Sequence, residues 1–178
     1  MLTDRFVVLS GCSGGGKSTL LADLAGRGYA VVDEPGRRIV REELDRGGQA
    51  LPWADAEAFL RRAVAKALED RRQAEAQAGW VFFDRGLIDA ISGLEDMTGE
   101  PALAEFGQAH RYNRTVFLTP PWPEIYETDA ERKHGFEQAV TEYGRLVRDY
   151  ARLGYQTVEV PKRPVGERAD FVLARLAP

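Results

Sequence analysis

A glycine-rich segment directly after a short apolar run is the feature that most constrains the fold of this chain. Residues 11–18 read GCSGGGKS, which fits the pattern G-x-x-x-x-G-K-[ST], and they follow the β-rich run Phe6–Ser10. Glycines let the backbone wrap closely around phosphate oxygens, and the helix predicted to begin near Lys17 adds the positive end of its dipole. The pattern therefore predicts a phosphate-binding loop between a strand and a helix, and hence binding of a nucleoside triphosphate.

The residues of this loop have distinct expected roles. Lys17 is expected to reach the β- and γ-phosphates, and the Ser18 hydroxyl to complete the shell of a Mg²⁺ ion that bridges them. The alternative is a glycine-rich turn between strand and helix that binds nothing. We expect ATP and Mg²⁺ as cofactors, and we assign nucleotide binding to Gly11, Cys12, Ser13, Gly14, Gly15, Gly16, Lys17, Ser18 and Thr19.

Length and composition predict one domain and argue against several classes of partner. The 178 residues suffice for one domain over 1–178 with a core of its own. The formal net charge of -4 argues against nucleic acid as a partner, and the apolar run near the start is too short for a signal peptide or a membrane span. Two isolated histidines, His110 and His134, give no metal-ligand cluster. We therefore expect a cytoplasmic protein whose metal ion arrives with the nucleotide.

Short β-rich runs alternate with helix-length segments along the chain. This alternation predicts a three-layer α/β fold, in which a five-stranded parallel sheet has helices on both faces. The runs that read as strands are Phe6–Ser10, Ala30–Val32, Trp80–Phe83, Thr115–Leu118 and Thr157–Val160.

The connections between these strands contain the predicted helices. Two helices are expected between the second and third strands, one around Ile39–Leu44 and one from about Trp53 to Ala78. The second carries an apolar stripe that is expected to pack in the core. The prolines in Thr119–Pro123 predict an irregular segment. Further helices are expected over Leu87–Leu94, over Pro101–His110, in a segment that ends at Leu153, and over Gly166–Leu176.

Polar residues directly after the strands are the first candidates for chemistry, because ligands of open parallel sheets bind beyond the carboxyl ends of the strands. Asp84 follows the apolar residues Trp80–Phe83, as a metal-binding carboxylate does at the end of a Walker B strand. The next residue is Arg85, whereas water-activating ATPases commonly carry glutamate there. The pair predicts a carboxylate that holds Mg²⁺ or polarises a hydroxyl, and a guanidinium that grips an anionic group. The alternative is that Asp84 caps the next helix and pairs with Arg85.

Glu34 closely follows the second strand and precedes the rigid turn Pro35-Gly36. That position predicts a carboxylate aimed at the cleft, as a general base or as a ligand for substrate hydroxyls. The alternative is a helix cap formed by Asp33 or Glu34.

A basic segment after the fourth strand contains Arg132 and Lys133. We expect a lid near 124–136 that brings positive charge to the γ-phosphate, with Arg132 as a catalytic residue beside Lys17, Glu34, Asp84 and Arg85. The alternative is an exposed helix start in which the charges of residues 131–133 pair with one another.

Taken together, these motifs resemble the thymidylate kinase-like branch of P-loop kinases, which includes deoxynucleoside, thymidylate and nicotinamide riboside kinases. Residues 32–40, 82–86 and 120–126 are similar, more closely, to a family of bacterial predicted ATPases or kinases that carry an AAA domain. By this resemblance Glu34 takes the place of the glutamate that contacts the phosphoryl acceptor, Asp84 and Arg85 form the acidic-Arg pair after the third strand, and Arg132 is a lid arginine. The chain departs from deoxynucleoside kinases in that its lid offers adjacent Arg132 and Lys133 instead of two spaced arginines.

The sequence favours a kinase that transfers the γ-phosphoryl group of ATP to a hydroxyl or phosphate of a nucleoside-like or other small molecule. The alternatives are an ATP-hydrolysing switch that acts with a protein partner, and a nucleotide-binding regulatory module without catalysis. Trp53, Trp122 and Tyr126 could stack on a base or belong to the packing. The acceptor itself cannot be identified from side chains at unknown distances.

Overall fold

The sheet of the protein has five strands, and all of them run parallel. A computed structural model of the chain describes residues 2–126 and 135–176. The spatial order of the strands is β2-β3-β1-β4-β5. Each strand lies within one residue of its predicted bounds, so the predicted parallel sheet is confirmed. The strands are β1 (Phe6–Gly11), β2 (Ala30–Val32), β3 (Val81–Asp84), β4 (Thr115–Thr119) and β5 (Gln156–Glu159).

Seven α-helices occur in the described residues, together with two short 3-10 turns over Leu2–Arg5 and Pro123–Ile125. None of the helices within those ranges combines the length and the apolar character that a membrane span requires. The helices are α1 (Lys17–Gly26), α2 (Pro35–Arg46), α3 (Ala56–Ala74), α4 (Leu87–Thr98), α5 (Leu103–Ala109), α6 (Phe136–Arg152) and α7 (Val165–Leu176).

Two predicted helix starts were wrong, each for a local reason. The α2 helix begins at Pro35, earlier than predicted, because proline at the first helical position already has a helical φ and needs no N–H partner there. The α3 helix begins at Ala56, later than predicted, because the Asp55 carboxylate accepts the N–H of Ala58 at 2.9 Å and caps the helix. Trp53 therefore lies in the connection before α3.

The predicted irregular segment was also wrong at both of its ends. Thr119 is the last residue of β4, because a residue before proline favours extended backbone, and Pro123 begins a 3-10 turn. The predicted lid falls largely on residues 127–134, so Arg132 and Lys133 lie outside the described residues.

Two cores form on opposite faces of the sheet, because side chains of a strand alternate between its faces. In β1, Val7 and Leu9 pack with α1 and α7, whereas Phe6 and Val8 face the core shared by α3, α4 and α6. All four of these side chains are buried. With both faces covered, the carboxyl ends of the strands are where the sheet leaves room for a ligand.

Candidate active site

The loop after β1 is held against β4 by a close backbone approach. Gly11 has a φ of 111°, and a Cβ atom there would lie 2.6 Å from the backbone nitrogen of Thr119 and closer still to its carbonyl oxygen. The Cys12 N–H donates to that same oxygen at 2.8 Å. The Cys12 side chain is fully buried, so the predicted role of this residue in nucleotide binding can belong only to its backbone.

Lys17 begins α1 and turns its side chain back over the loop. Its Nζ atom donates to the carbonyl oxygen of Cys12 at 2.9 Å, and only 5% of the residue is exposed. Burial, together with the charge of Arg85, lowers the pKa of the ammonium group below its usual value, although Asp84 and Glu34 oppose this shift. The structure thus places a cation inside the loop, where the phosphates of a nucleotide were expected.

Asp84 ends β3 directly beside the start of α1. The Ser18 hydroxyl donates to Asp84 Oδ2 at 2.8 Å, while Asp84 Oδ1 is buried and has no hydrogen-bond partner in the described part of the chain. Burial, reinforced by the charge of Glu34, raises the pKa of this carboxyl to about 6. A buried carboxylate oxygen without a partner, next to a serine hydroxyl, fits the oxygen ligands that Mg²⁺ prefers. The helix-cap alternative is wrong for Asp84, because the carboxylate that accepts the Gly86 N–H before α4 is that of Asp89, at 3.0 Å.

Glu34 occupies the position before α2 but makes no side-chain hydrogen bond that caps the helix. Its carboxylate instead faces two arginines: Oε1 lies 3.4 Å from Arg85 Nε, and Oε2 lies 3.5 Å from Arg37 Nε. The structure therefore directs the Glu34 carboxylate toward Arg85 and Arg37, at the carboxyl end of the sheet.

Arg85 lies at the centre of a cluster of carboxylates. Its backbone has a φ of 63°, a left-handed conformation that is unfavourable for a side-chain-bearing residue, and its N–H donates to Leu9 of β1 at 2.9 Å. Besides contacting Glu34, the guanidinium lies 3.2 Å from Asp89 Oδ1 and 3.1 Å from Glu142 Oε1. Burial alone would lower the pKa of Arg85, but the surrounding carboxylates, with Glu142 contributing most, raise it above its usual value.

Asp89 connects this cluster to the core. Besides Arg85 and the Gly86 N–H, it accepts hydrogen bonds from Ser10 at 2.5 Å and from Tyr150 at 2.6 Å. A carboxylate with this many donors is fixed in place, and it fixes the guanidinium in turn. Sequence reasoning missed both Asp89 and Glu142. The position of Asp89 in the first turn of α4 is a signal that could have pointed to it, whereas Glu142 has no such signal.

Two cavities meet at the carboxyl end of the sheet. The loop cavity, of about 560 Å³, is lined by Lys17, Ser18 and Thr19 on one side and by Trp122 and Arg168 on the other. The larger cavity, of about 750 Å³, lies between α2, α3, α4 and α6. The residues that line both cavities are Ser13, Glu34 and Arg37.

Arg168 of α7 is a third residue that sequence reasoning missed. Its guanidinium donates to the carbonyl oxygens of Gly15 at 3.0 Å and Gly16 at 3.2 Å, and it lies 5.6 Å from the centre of the Trp122 ring. Because the C=O and N–H of a trans peptide point in opposite directions, these bonds leave the neighbouring loop N–H groups directed away from Arg168. The signal was an arginine in the apolar i, i+3, i+4, i+7 stripe Val165, Arg168, Ala169 and Val172.

Of the remaining residues that the sequence singled out, some line a cavity and others pack against neighbouring side chains. Trp53 lines the larger cavity and Trp122 the loop cavity. The Tyr126 ring packs edge-on against Phe136, with ring centres 5.2 Å apart. The apolar stripe of α3, predicted to be core, contributes Phe59, Leu60 and Ala63 to the lining of the larger cavity. The expectation of core is confirmed for Ala63 and Ala67, which are buried, and Phe59 packs against the core cluster that contains Ala63 while it also lines the cavity. Leu60 is half-buried and belongs to the cavity lining.

Comparisons with known proteins agree with this geometry. A family model described as AAA domain matches residues 6–168. A nucleotide-binding protein of Granulibacter bethesdensis is 40% identical over 79 residues, which cover 41% of this chain and 24% of that protein. The match thus spans about a quarter of the length of that relative.

Solved structures share the fold along nearly the whole chain. The NadR protein in complex with NR has a TM-score of 0.70 and 18% identity over 97% of this chain and 50% of that one. Deoxyadenosine kinase from M. mycoides with bound dATP has a TM-score of 0.65 and 14% identity over 97% of this chain and 98% of that one. The predicted resemblance to P-loop kinases and the three-layer P-loop fold are confirmed.

The buried Asp84 carboxyl gives a prediction about stability and pH. Its pKa rises on folding from 3.8 to about 6, so ionisation of this group destabilises the folded protein as the pH rises from about 4 to about 6. The amide side chain in the Asp84→Asn variant cannot ionise. The free energy of unfolding of this variant is therefore expected to exceed that of the wild type above pH 6 by on the order of 2–3 kcal/mol. Urea unfolding of both ligand-free proteins between pH 4.5 and 7.5 measures this difference. Stability profiles that run parallel over that range would contradict the assignment.

Arg168 gives a prediction about the loop. Arg168→Met removes two charge-assisted hydrogen bonds to the loop carbonyls and is expected to weaken ATP binding about tenfold or more. The matched control is Arg175→Met, an exposed arginine of the same helix that packs on Phe171. Calorimetric titration of each folded variant with ATP and Mg²⁺ measures the effect. Equal affinities in the two variants would show that Arg168 does not organise the loop.

Proposed function

This chain belongs to the AAA domain family, and we propose that it is an ATP-dependent phosphotransferase that moves the γ-phosphoryl group of ATP to a hydroxyl group of a small molecule. The observation that carries this proposal is that the loop cavity and the larger cavity meet at Ser13, Glu34 and Arg37. A kinase needs a donor site and an acceptor site that open onto each other, and it needs a carboxylate at their junction. A hydrolytic switch needs no second cavity of this size beside its nucleotide.

The loop cavity supplies the groups that a triphosphate requires. Backbone N–H groups of the loop would cradle the phosphates, and Lys17 would neutralise charge at the β- and γ-phosphates. Ser18 and Asp84 would hold Mg²⁺, which supplies charge stabilisation of the phosphates when it is bound. Arg132, which lies outside the described residues, remains the proposed lid arginine.

The charge around the junction favours a hydroxyl acceptor over a phosphate acceptor. Four carboxylates gather around Arg85, so its guanidinium is already paired, and in the lining at the inner end of the larger cavity the carboxylates Glu34, Asp89 and Glu142 outnumber the cations Arg37 and Arg85. A phosphate monoester brought to this end would be repelled. A hydroxyl group can instead donate a hydrogen bond to Glu34. In the proposed step the acceptor oxygen forms a bond to the γ-phosphorus, the bond from that phosphorus to the β–γ bridging oxygen breaks, and Glu34 accepts the hydroxyl proton.

Acceptor-dependent consumption of ATP tests the proposal. The wild type is assayed with Mg²⁺ against nucleosides, nucleotides, nicotinamide riboside and aminoglycoside-like alcohols, with a control that lacks acceptor and with Lys17→Ala as the inactive reference. We expect at least one hydroxyl acceptor to raise ATP consumption and to appear as its phosphorylated product. Consumption of ATP at the same rate with and without every acceptor would favour the hydrolytic switch.

Glu34 gives a prediction about the chemical step. Glu34→Gln keeps the shape of the side chain but cannot accept the proton, so kcat with the acceptor is expected to fall by roughly 10²-fold or more while the Kd for ATP stays within about twofold. The matched control is Asp33→Asn, an exposed carboxylate one residue earlier that lines neither cavity. Steady-state kinetics with a validated acceptor, together with ATP titration, separate the two effects. Wild-type turnover in Glu34→Gln would remove Glu34 from the mechanism.

A further inference from the structure

The larger cavity changes its chemical character along its length. Its inner end, beside the loop, holds Arg85 and the carboxylates that surround it. Its lining also includes two further arginines, Arg145 and Arg148, which both belong to α6. Neither of them takes part in the proposed phosphoryl transfer.

The helix geometry of α6 places these arginines progressively further from the inner end. One face of α6 lines the cavity through Gln138, Thr141, Glu142, Arg145 and Arg148, a spacing that keeps side chains on the same side of a helix. Glu142 contacts Arg85 at the inner end. With a rise of 1.5 Å per residue, Arg145 lies about 4.5 Å and Arg148 about 9 Å further along the helix axis than Glu142.

Both arginines retain capacity for hydrogen bonds to a ligand. Arg145 Nη1 lies 2.8 Å from Asp96 Oδ2, but the Asp96 side chain is 62% exposed, so water competes for this pair. Arg145 Nε is buried and has no hydrogen-bond partner among the described residues. Arg148 is exposed at the cavity and forms no ion pair within the described ranges. A guanidinium group offers parallel N–H donors that match a carboxylate or a phosphate.

The wall between the two ends is apolar. Trp53, Phe59 and Leu60 contribute to it, with Phe59 next to Gly36 and Glu34 at the inner end and Leu60 next to Gly93. A Cβ atom at Gly93 of α4 would lie 2.9 Å from Leu60 Cδ2 and 3.7 Å from Arg145 Nη2, so glycine at this position gives both side chains their room. Apolar side chains with a few polar groups at the ends are typical of a site that orients a small ligand, and about 750 Å³ accommodates one.

We propose that the acceptor is an anionic hydroxyl compound, with its hydroxyl group at Glu34, a ring or other apolar body against Trp53 and Phe59, and a carboxylate or phosphate at Arg145 and Arg148. This inference rests on the proposed function, since it names the class of acceptor for the same site. The separation along α6 keeps the anionic group away from the carboxylates around Arg85, which would repel it. The two ends of the cavity thus select the orientation of the acceptor as well as its charge.

Matched pairs of probes test the charge preference. Orotidine is compared with uridine to test a carboxylate, and adenosine 3′-monophosphate is compared with adenosine to test a phosphate. Phosphorylation is measured as kcat/KM, and binding is measured separately by calorimetry in the presence of Mg²⁺ and a non-hydrolysable ATP analogue. In at least one pair the anionic member is expected to exceed the neutral member about tenfold in kcat/KM and in affinity. The absence of an anionic preference in both pairs overturns the inference.

Variants assign the preference to the arginines. Arg145→Gln and Arg148→Gln, singly and together, are expected to abolish the preference with little effect on the neutral member, whereas Arg145→Lys retains part of it. Asp96→Asn removes a competing carboxylate and is expected to increase the affinity for the anionic member severalfold. The matched control is Arg152→Gln, an exposed arginine of α6 whose ion pairs, to Glu95 and Asp149, lie outside the cavity. A preference that survives in the double variant, or that is lost equally in Arg152→Gln, contradicts the inference.

The two readouts separate this inference from the proposed function. Anionic probes that bind through Arg145 and Arg148 but are never phosphorylated support the anion site and contradict the kinase function. Phosphorylation of the neutral probes with the same kcat/KM as their anionic partners supports the kinase function and contradicts the anion site.

Discussion

A cluster of buried charges at the carboxyl ends of three neighbouring strands organises this protein. Lys17 follows β1, Glu34 follows β2, Asp84 ends β3 and Arg85 follows it, so the parallel sheet itself brings them together. Their charges are removed from water, and the cost of burial appears in the pKa of Asp84, which is raised to about 6. Asp84 Oδ1 is left without a partner among the described residues. The cluster therefore leaves a buried carboxylate oxygen without a hydrogen bond from the described residues, and it is suited to a ligand that brings positive charge.

Arg85 determines how this cluster is arranged. Its left-handed backbone turns the chain sharply after β3, and its guanidinium joins carboxylates from α4, α6 and the end of β2. Such a backbone conformation is unfavourable by itself and persists only where its surroundings stabilise it. Here Asp89 stabilises the guanidinium, since its own carboxylate is bonded to Ser10 and Tyr150. Two helices, α4 and α6, and the connection between β2 and α2 are thus tied to one side chain beside the proposed site of phosphoryl transfer.

The sequence predicted those parts of the site that depend on local order in the chain. The glycine loop, Asp84 and Glu34 each stand directly after an apolar run, and a strand places whatever follows it at the edge of the sheet. Glu142 and Arg168 could not be predicted in this way, because their partners are 57 and about 150 residues away along the chain. Leu60 illustrates a second limit. Periodicity shows that Leu60 shares a helix face with Ala67, but only the packing of α3 against its neighbouring helices α2 and α4 decides where that face changes from core to cavity lining.

Titration of Asp84 shows whether this buried carboxylate binds a nucleotide that carries a metal ion. Its ¹³C-labelled side-chain carboxyl, identified by the signal lost in Asp84→Asn, is followed by NMR as a function of pH. We expect titration near pH 6 in the ligand-free protein, and a carboxylate that stays ionised to a clearly lower pH once Mg²⁺ and a non-hydrolysable ATP analogue are added. Titration near pH 4 in the ligand-free protein, or a curve unchanged by Mg²⁺ and nucleotide, would contradict this expectation.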